Sequence, residues 1–135
     1  IYTASDTSGI PRLKNFGTAK SLTEMPIIFN EADINLNLTS KPIRSGLPLR
    51  IFDILSCEGF LISNYQPEIA ELFVPDEEIV MYGSIEELIE LCGYYLEHRS
   101  RAREIAHAGF EKLQREYTYE RQLERMFTMA FGDLV

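Results

Sequence analysis

The 135-residue chain has no tryptophan, two cysteines and two histidines. It also has no apolar run near the roughly 20 residues that a bilayer-crossing helix needs. Two cysteines cannot build a disulfide framework, and Cys57 and Cys92 lack metal-ligand spacing. Both fall at apolar helical positions, which predicts buried free thiols in a reducing compartment. No G-x-G-x-x-G follows a strand-like run, so a dinucleotide-binding oxidoreductase fits poorly. Basic residues are outnumbered in one half only. Residues 1–67 carry six basic and six acidic residues, whereas residues 68–135 carry seven basic and fifteen acidic ones, which is the whole net charge of −8. A surface of that sign repels a phosphodiester backbone, which argues against nucleic acid as a partner. The neutral half still holds Arg12, Lys14, Lys20, Lys41, Arg44 and Arg50, enough for one small phosphorylated ligand.

What the chain does have is a core. Apolar residues make up 45% and charged residues 25%, the balance of one soluble domain spanning residues 1–135. No signal-peptide pattern is visible, and the expected location is cytoplasmic. The first residue, Ile1, already lies in a strand-like run, IYTAS, so the expectation is a fragment of a longer protein.

After IYTAS (1–5) comes a loop rich in Gly, Pro and small polar residues. Residues 21–32 have helical apolar spacing, with Pro26 in the first turns. INLNL (34–38) alternates as a strand does, and TSKPIRSG is a loop. Residues 47–57 read as a helix and FLIS (60–63) as a short buried strand. NYQP is a turn, EIAELF a short helix and IVMY (79–82) a last strand. Ser84 and Glu87 form a capping box that opens a helix. A second helix spans about 99–116, and Thr118 caps a third, with Tyr119, Leu123, Met126, Phe127 and Ala130 on one face. Strands alternating with helices predict an α/β fold: a Rossmann-like parallel sheet of about four or five strands, helices on both faces and a helical C-terminal segment. In such sheets ligands sit beyond the carboxyl ends of the strands, which selects the loops 6–18, 39–47, 64–68 and 82–84. His98 and His107 fall far from that crevice, where exposed or capping roles are expected. Glu68 and Glu71 open a short helix, where acids favour the dipole. Tyr94, Tyr95, Tyr117 and Tyr119 read as packing residues, and Tyr65 sits in a crevice loop.

The helix at 47–57 carries the most information. At about 100° per residue, Leu47, Ile51, Ile54 and Leu55 form one face, and Leu49 and Phe52 cover much of the rest. That pattern predicts packing on several sides. Arg50, Asp53 and Cys57 share the remaining strip. Either Arg50 and Asp53 pair with each other at i, i+3, or they face a ligand. The head of the helix has no side-chain cap. Pro48 suits a first turn, Gly46 permits close approach, and free N–H groups at a helix start make an anion site. Arg44 and Arg50 are placed to add charge-assisted bonds.

The run from Gly17 to Asn64 resembles the nucleotide-sugar-binding half of a glycosyltransferase of the two-Rossmann-domain (GT-B) type, with the spore-maturation-protein-like subgroup as the nearest likeness. The elements that carry it are Gly17-Thr18-Ala19, Ala32-Asp33, Ile34–Leu38, Gly46-Leu47-Pro48, Asp53, Ser56-Cys57-Glu58-Gly59 and Phe60–Ser63. The tail EREYTYERQLERMF is similar to the closing helix of that family.

The resemblance implies a nucleotide-diphosphate sugar as donor substrate, with no metal and no other cofactor required. Asp53 would accept bonds from the ribose hydroxyls. Gly46 and Leu47 would meet the diphosphate through their backbone N–H groups, with Arg44 and Ser45 counted beside them among the donor-binding residues, and Gly17 and Thr18 would lie along the base. Tyr65 and Gln66 would line the crevice, and Arg50 would neutralise the departing diphosphate. Three departures stand out. Asp53 replaces the more usual Glu. Ser45 stands where related families carry an acid. Tyr65-Gln66-Pro67 replaces the usual Gly-Gly. The acceptor would bind to an N-terminal domain outside these residues, leaving the isolated fragment inactive and with apolar surface through which it could form a homodimer. Two rivals remain: a degenerate Rossmann-like interaction module without catalysis, and another nucleotide-sugar enzyme such as an epimerase.

Overall fold

The computed structural model describes Ile1 and residues 6–39 and 46–132. Helix α1 (Met25–Glu31) begins four residues later than the apolar spacing predicts. Proline is tolerated only in a first turn, because deeper in the helix it removes a hydrogen bond and clashes with the preceding turn. Pro26 therefore sets the start, and Leu22 is left 92% exposed. Strand β1 (Asn35–Asn37) follows, then α2 (Leu49–Ser56), β2 (Leu61–Asn64), α3 (Pro67–Leu72) and β3 (Val80–Tyr82). Three helices complete the described chain: α4 (Ile85–Glu97), α5 (Arg99–Glu116) and α6 (Tyr119–Phe131). The Ser84 hydroxyl accepts from the Glu87 amide at 3.1 Å, and the Glu87 carboxylate accepts from the Gly83 amide at 2.7 Å. The capping box thus reaches one residue further back than the usual pairing.

The strands pair in the order β1-β2-β3, all parallel, with Asn35 opposite Leu61 and Ile62 opposite Val80. Four or five strands were expected. Three are present among the described residues, and the IYTAS run falls largely on residues 2–5, outside them. Both faces are covered by helices, as the alternation of β2 shows. Leu61 packs with Ile54 and Leu55 of α2, with Ile69 of α3 and with Phe73 at the end of α3. Its neighbour Ile62 faces the other way, toward Tyr95 of α4 and Ile105 of α5. Burying successive residues of one strand on opposite sides is what a parallel sheet between helix layers requires.

α5 runs across the amino ends of the strands and joins the two layers. Its Ala102, Ile105 and Ala106 belong to one apolar cluster and its Leu113 to the other. Arg99 grips Asp33, just before β1, through two bonds of 3.1 and 3.2 Å. Lys112 meets Glu78, before β3, at 2.9 Å, and Glu78 also accepts from the Val74 amide at 2.8 Å. Gly109 passes so close to Glu78 that a Cβ there would lie 2.4 Å from its carbonyl oxygen.

His107 of α5 binds the Glu58 carboxylate at 2.5 Å and lies 3.5 Å from Glu111. The hydrogen bond to Glu58, helped by the charges of Glu111 and Glu58, holds the imidazole pKa above its ordinary value against the opposing effect of desolvation. A base whose folded pKa is raised adds stability that is complete below the unfolded pKa and fades as pH rises through the folded one. Melting curves from pH 5.5 to 8.5 should therefore show His107→Gln closing its gap to the parent as pH rises. A gap independent of pH would contradict that coupling.

Candidate functional site

The carboxyl ends of the three strands lie at Asn37, Asn64 and Tyr82, and side chains knit them together. Buried Asn37 donates through Nδ2 to Ser63 Oγ at 2.9 Å, and Ser63 Oγ donates to the Asn64 carbonyl at 3.1 Å. The Thr39 amide donates to Asn64 Oδ1 at 2.9 Å, and the Tyr65 amide to the Tyr82 carbonyl at 2.8 Å. These bonds fix where β1 and β2 release the chain into the loops that follow. The rim of the sheet is therefore rigid and polar.

α2 points its amino end into this region. Pro48 stands at its N-cap position in an extended conformation, and no side chain caps it. Gly46, two residues earlier, has a φ of +113°, and a Cβ there would meet nothing within 4 Å. The tip is open. Its one side-chain visitor among the described residues is Glu68 of α3, whose Oε1 accepts from the Gly46 amide at a long 3.4 Å.

Several residues expected to act together are placed by these elements. Leu47 is half-buried against the α2 cluster. Arg50 and Asp53 lie on an exposed strip of α2, beside a Leu49 that is 78% exposed. Packing on several sides, expected from the apolar pattern, is observed: α2 lies against the sheet, α1 and α5, and its Phe52 packs on Phe73 and Tyr117. α2 buries Ile51, Ile54 and Leu55 along one face and leaves the strip open. No ion pair joins Arg50 to Asp53 among the described residues. Tyr65 is 58% exposed in the loop after β2, and Gln66, the N-cap residue of α3, is 6% exposed. Arg44 and Ser45 lie outside the described residues.

Gly17 and Thr18 sit elsewhere in the described structure. Thr18 lines a shallow hollow of about 520 Å³ with Phe16, Glu24, Ile27, Ile28 and Glu31, on the outer side of α1. Gly17 has a φ of +81°, and its amide donates to Asn15 Oδ1 at 2.9 Å. Another hollow, of about 280 Å³, opens at the amino ends of the strands between Asn30, Asp33, Glu58, Arg99 and Arg103. It lies at the opposite end of the sheet from the loops that bind ligands in parallel α/β folds. Two of its carboxylates are already partnered, Asp33 with Arg99 and Glu58 with His107.

The histidines behave as expected. His98 caps the end of α4, with Nδ1 2.8 Å from the Tyr94 carbonyl and its ring stacked on Tyr94 at 4.1 Å. Tyr95 and Tyr117 pack against Phe60 and against Phe52 and Phe73, respectively. Tyr119 does not pack: it is 81% exposed on α6, which buries none of its residues. Both cysteines are free and half-buried, and burial pushes the Cys92 thiol pKa up. No group of three or more His, Cys, Asp or Glu side chains suited to a metal occurs among the described residues. No helix among them is long and apolar enough to cross a membrane.

Sequence reading missed Glu68 as a neighbour of the α2 tip. It places the residue correctly in the first turn of α3. The contact with Gly46, 22 residues away, arises only when β1 and β2 pair and bring their following loops side by side.

A small parallel sheet between helix layers, with an uncapped helix tip and a polar rim at its carboxyl edge, defines an α/β domain. The chain belongs to the glycosyl transferase-like family, whose family model matches residues 9–128. No curated protein and no solved structure matches it.

Proposed function

We propose that this chain is the donor-binding half of a GT-B glycosyltransferase, of the spore-maturation-protein-like kind. It holds a nucleotide-diphosphate sugar for transfer to an acceptor on a separate N-terminal domain. The observation that carries the reading is the tip of α2: an uncapped helix start behind an exposed Gly46, at the carboxyl edge of a parallel sheet, in a chain of the glycosyl transferase-like family. The positive end of the helix dipole and its free N–H groups suit a diphosphate. Asp53 on the open strip accepts from the ribose hydroxyls, and Arg50 on the same strip balances charge as the nucleotide diphosphate departs. Tyr65 lies beside the base or sugar, and Arg44 and Ser45 complete the phosphate seat. Positioning and charge stabilisation supply the chemistry, so no metal is required. Thr18 and Gly17 reach the base only if their loop closes over the tip.

Titration calorimetry with UDP, GDP and ADP tests this. One of the three should bind the isolated chain with a micromolar-to-millimolar Kd. Asp53→Ala should weaken that binding by about 10-fold, the worth of a charged hydrogen bond at an exposed site. Absence of heat with all three nucleotides would refute the donor site and favour a domain that kept the fold without the ligand.

A further inference from the structure

Helix α4 turns one apolar face to the sheet and a second one outward. Tyr95, with Leu88, Leu91 and Cys92 beside it, packs into the cluster around Ile62. Ile85, Ile89 and Leu96 lie elsewhere on the helix and are exposed, Ile89 the most at 66%. At about 100° per residue these three fall within roughly 40° of one another. They form one stripe along nearly the whole helix. Gly93 lies beside the stripe, and a Cβ there would meet nothing within 4 Å. Single exposed apolar residues need no explanation, but a continuous stripe marks a surface that another molecule covers.

On the far side of Gly93 run Glu86, Glu90 and Glu97, again within roughly 40° of one another. None of the three forms an ion pair among the described residues, and α4 carries no basic residue. Glu86 stands in the first turn, where the helix dipole favours a carboxylate. Glu97 closes the helix, where the dipole favours a cation and no basic residue is present. A carboxylate kept at the wrong end of a helix, in line with two others beside an apolar stripe, fits a cation arriving from outside.

Charge separates the occupants. A second copy packed α4 to α4 would set these three acids against their own images. The exposed α6 of a second copy carries Glu120, Arg121, Glu124 and Arg125, which sum to zero, and Arg121 already meets Glu124 at 3.4 Å. It offers no surplus positive charge. A lipid surface rewards basic flanks on an amphipathic helix, and α4 has none.

We propose that the outer face of α4 docks an amphipathic helix of a partner protein, one whose apolar stripe is bordered by lysine or arginine. Its apolar side chains lie over Ile85, Ile89 and Leu96, with one seated on the bare backbone at Gly93. Its basic border meets Glu86, Glu90 and Glu97. Apolar anchors at helical spacing supply the affinity, and the one-sided rail of charge fixes which way round the partner lies. The surface does not include the α2 tip, so it stands whether or not a nucleotide binds there.

Fluorescence anisotropy tests this with a labelled peptide of leucine and lysine, about 18 residues long, with its leucines at helical spacing and salt at about 0.15 M. Two comparison peptides have the same composition in scrambled order, or glutamate in place of lysine. The parent chain should bind the ordered leucine–lysine peptide with a micromolar Kd and the other two at least about 10-fold more weakly. Ile89→Ser should weaken that binding by about 20-fold. Glu86→Gln combined with Glu90→Gln should weaken it by about 5-fold, and Gly93→Gln, which fills the bare patch, by about 5-fold. Glu71→Gln combined with Glu77→Gln removes the same charge from exposed positions off α4 and should change the Kd by less than about 2-fold. Melting temperatures should stay close to the parent's, because every substituted position is exposed. No binding of the ordered peptide, equal binding of the scrambled one, an equal loss in the Glu71 and Glu77 variant, or no loss with Ile89→Ser would each overturn the proposal. So would a dimeric parent that Ile89→Ser turns into a monomer, which would give the face to a second copy, or vesicle binding that Ile89→Ser abolishes, which would give it to lipid.

Discussion

Phe73→Ala should lower the stability of the domain by about 4 kcal/mol, the usual loss for deleting a buried phenyl ring. Phe73 is 1% exposed. Its ring centroid lies 6.2 Å from that of Phe52 on α2 and 5.8 Å from that of Tyr117 after α5, and Lys112 Nζ lies 5.9 Å above it. The residue therefore holds together three segments far apart in sequence, and little nearby can collapse into the space it leaves. Against a total stability of roughly 5–15 kcal/mol for a native domain, such a loss is severe. The melting temperature should fall by roughly 10–15 °C, and the urea midpoint should fall with little change in slope. A loss below about 1.5 kcal/mol would show that the aromatic cluster is far looser than the geometry here.

Gly109→Ala should also destabilise, by about 3 kcal/mol, although alanine is the better helix former. Two effects compete. In the middle of a helix, alanine is favoured over glycine by about 1 kcal/mol. At Gly109, however, the new methyl would lie 2.4 Å from the Glu78 carbonyl oxygen and 3.0 Å from Leu55 Cδ2. The first contact is with backbone, which cannot step aside without moving the start of β3. Overpacking of this kind costs about 1–3 kcal/mol and occasionally more, so the clash outweighs the propensity. Gly93 of α4 is the internal control, because a Cβ there meets nothing within 4 Å. Gly93→Ala should stabilise by about 0.5–1 kcal/mol. Two identical substitutions in neighbouring helices are thus expected to differ in sign. Denaturant midpoints that moved in the same direction would contradict the close passage of α5 beneath β3.

Much of this architecture could be read from the residues, and the reasons differ by element. α4 and α6 announced themselves through Ser84 and Thr118, because a hydroxyl that caps the N2 or N3 amide acts locally and needs no tertiary context. α5 was legible from its small and apolar residues, Ala102, Ile105, Ala106, Gly109 and Leu113, all of which are buried. The start of α1 was misjudged because apolar spacing continues through Leu22 while Pro26 forbids the helix from beginning there. For α2 the packing on several sides was legible, whereas for α6 the face was correct and its surroundings were not. Leu49 and Tyr119 belong to apolar stripes, yet they are 78% and 81% exposed. Amphipathic spacing records a preference for cover and says nothing about whether the described chain provides it.

The candidate site was legible only where it is local. The uncapped start of α2 follows from Ser-Gly-Leu-Pro, and it is found as expected. The reach of Glu68 to Gly46 and the unpaired Gln66 oxygen were not visible, since both follow from strand pairing that brings separate loops together.

The way α5 fastens both layers bears on how the chain is made. The layer around Ile62 and Val80 is not closed until Ala102, Ile105 and Ala106 are in place, whereas α2 and α3 supply most of the other and α5 adds Leu113 to it. While the ribosome is still adding residues before these, the face of the sheet that carries Ile62 and Val80 lacks part of its cover. Completion of that face awaits the emergence of α5.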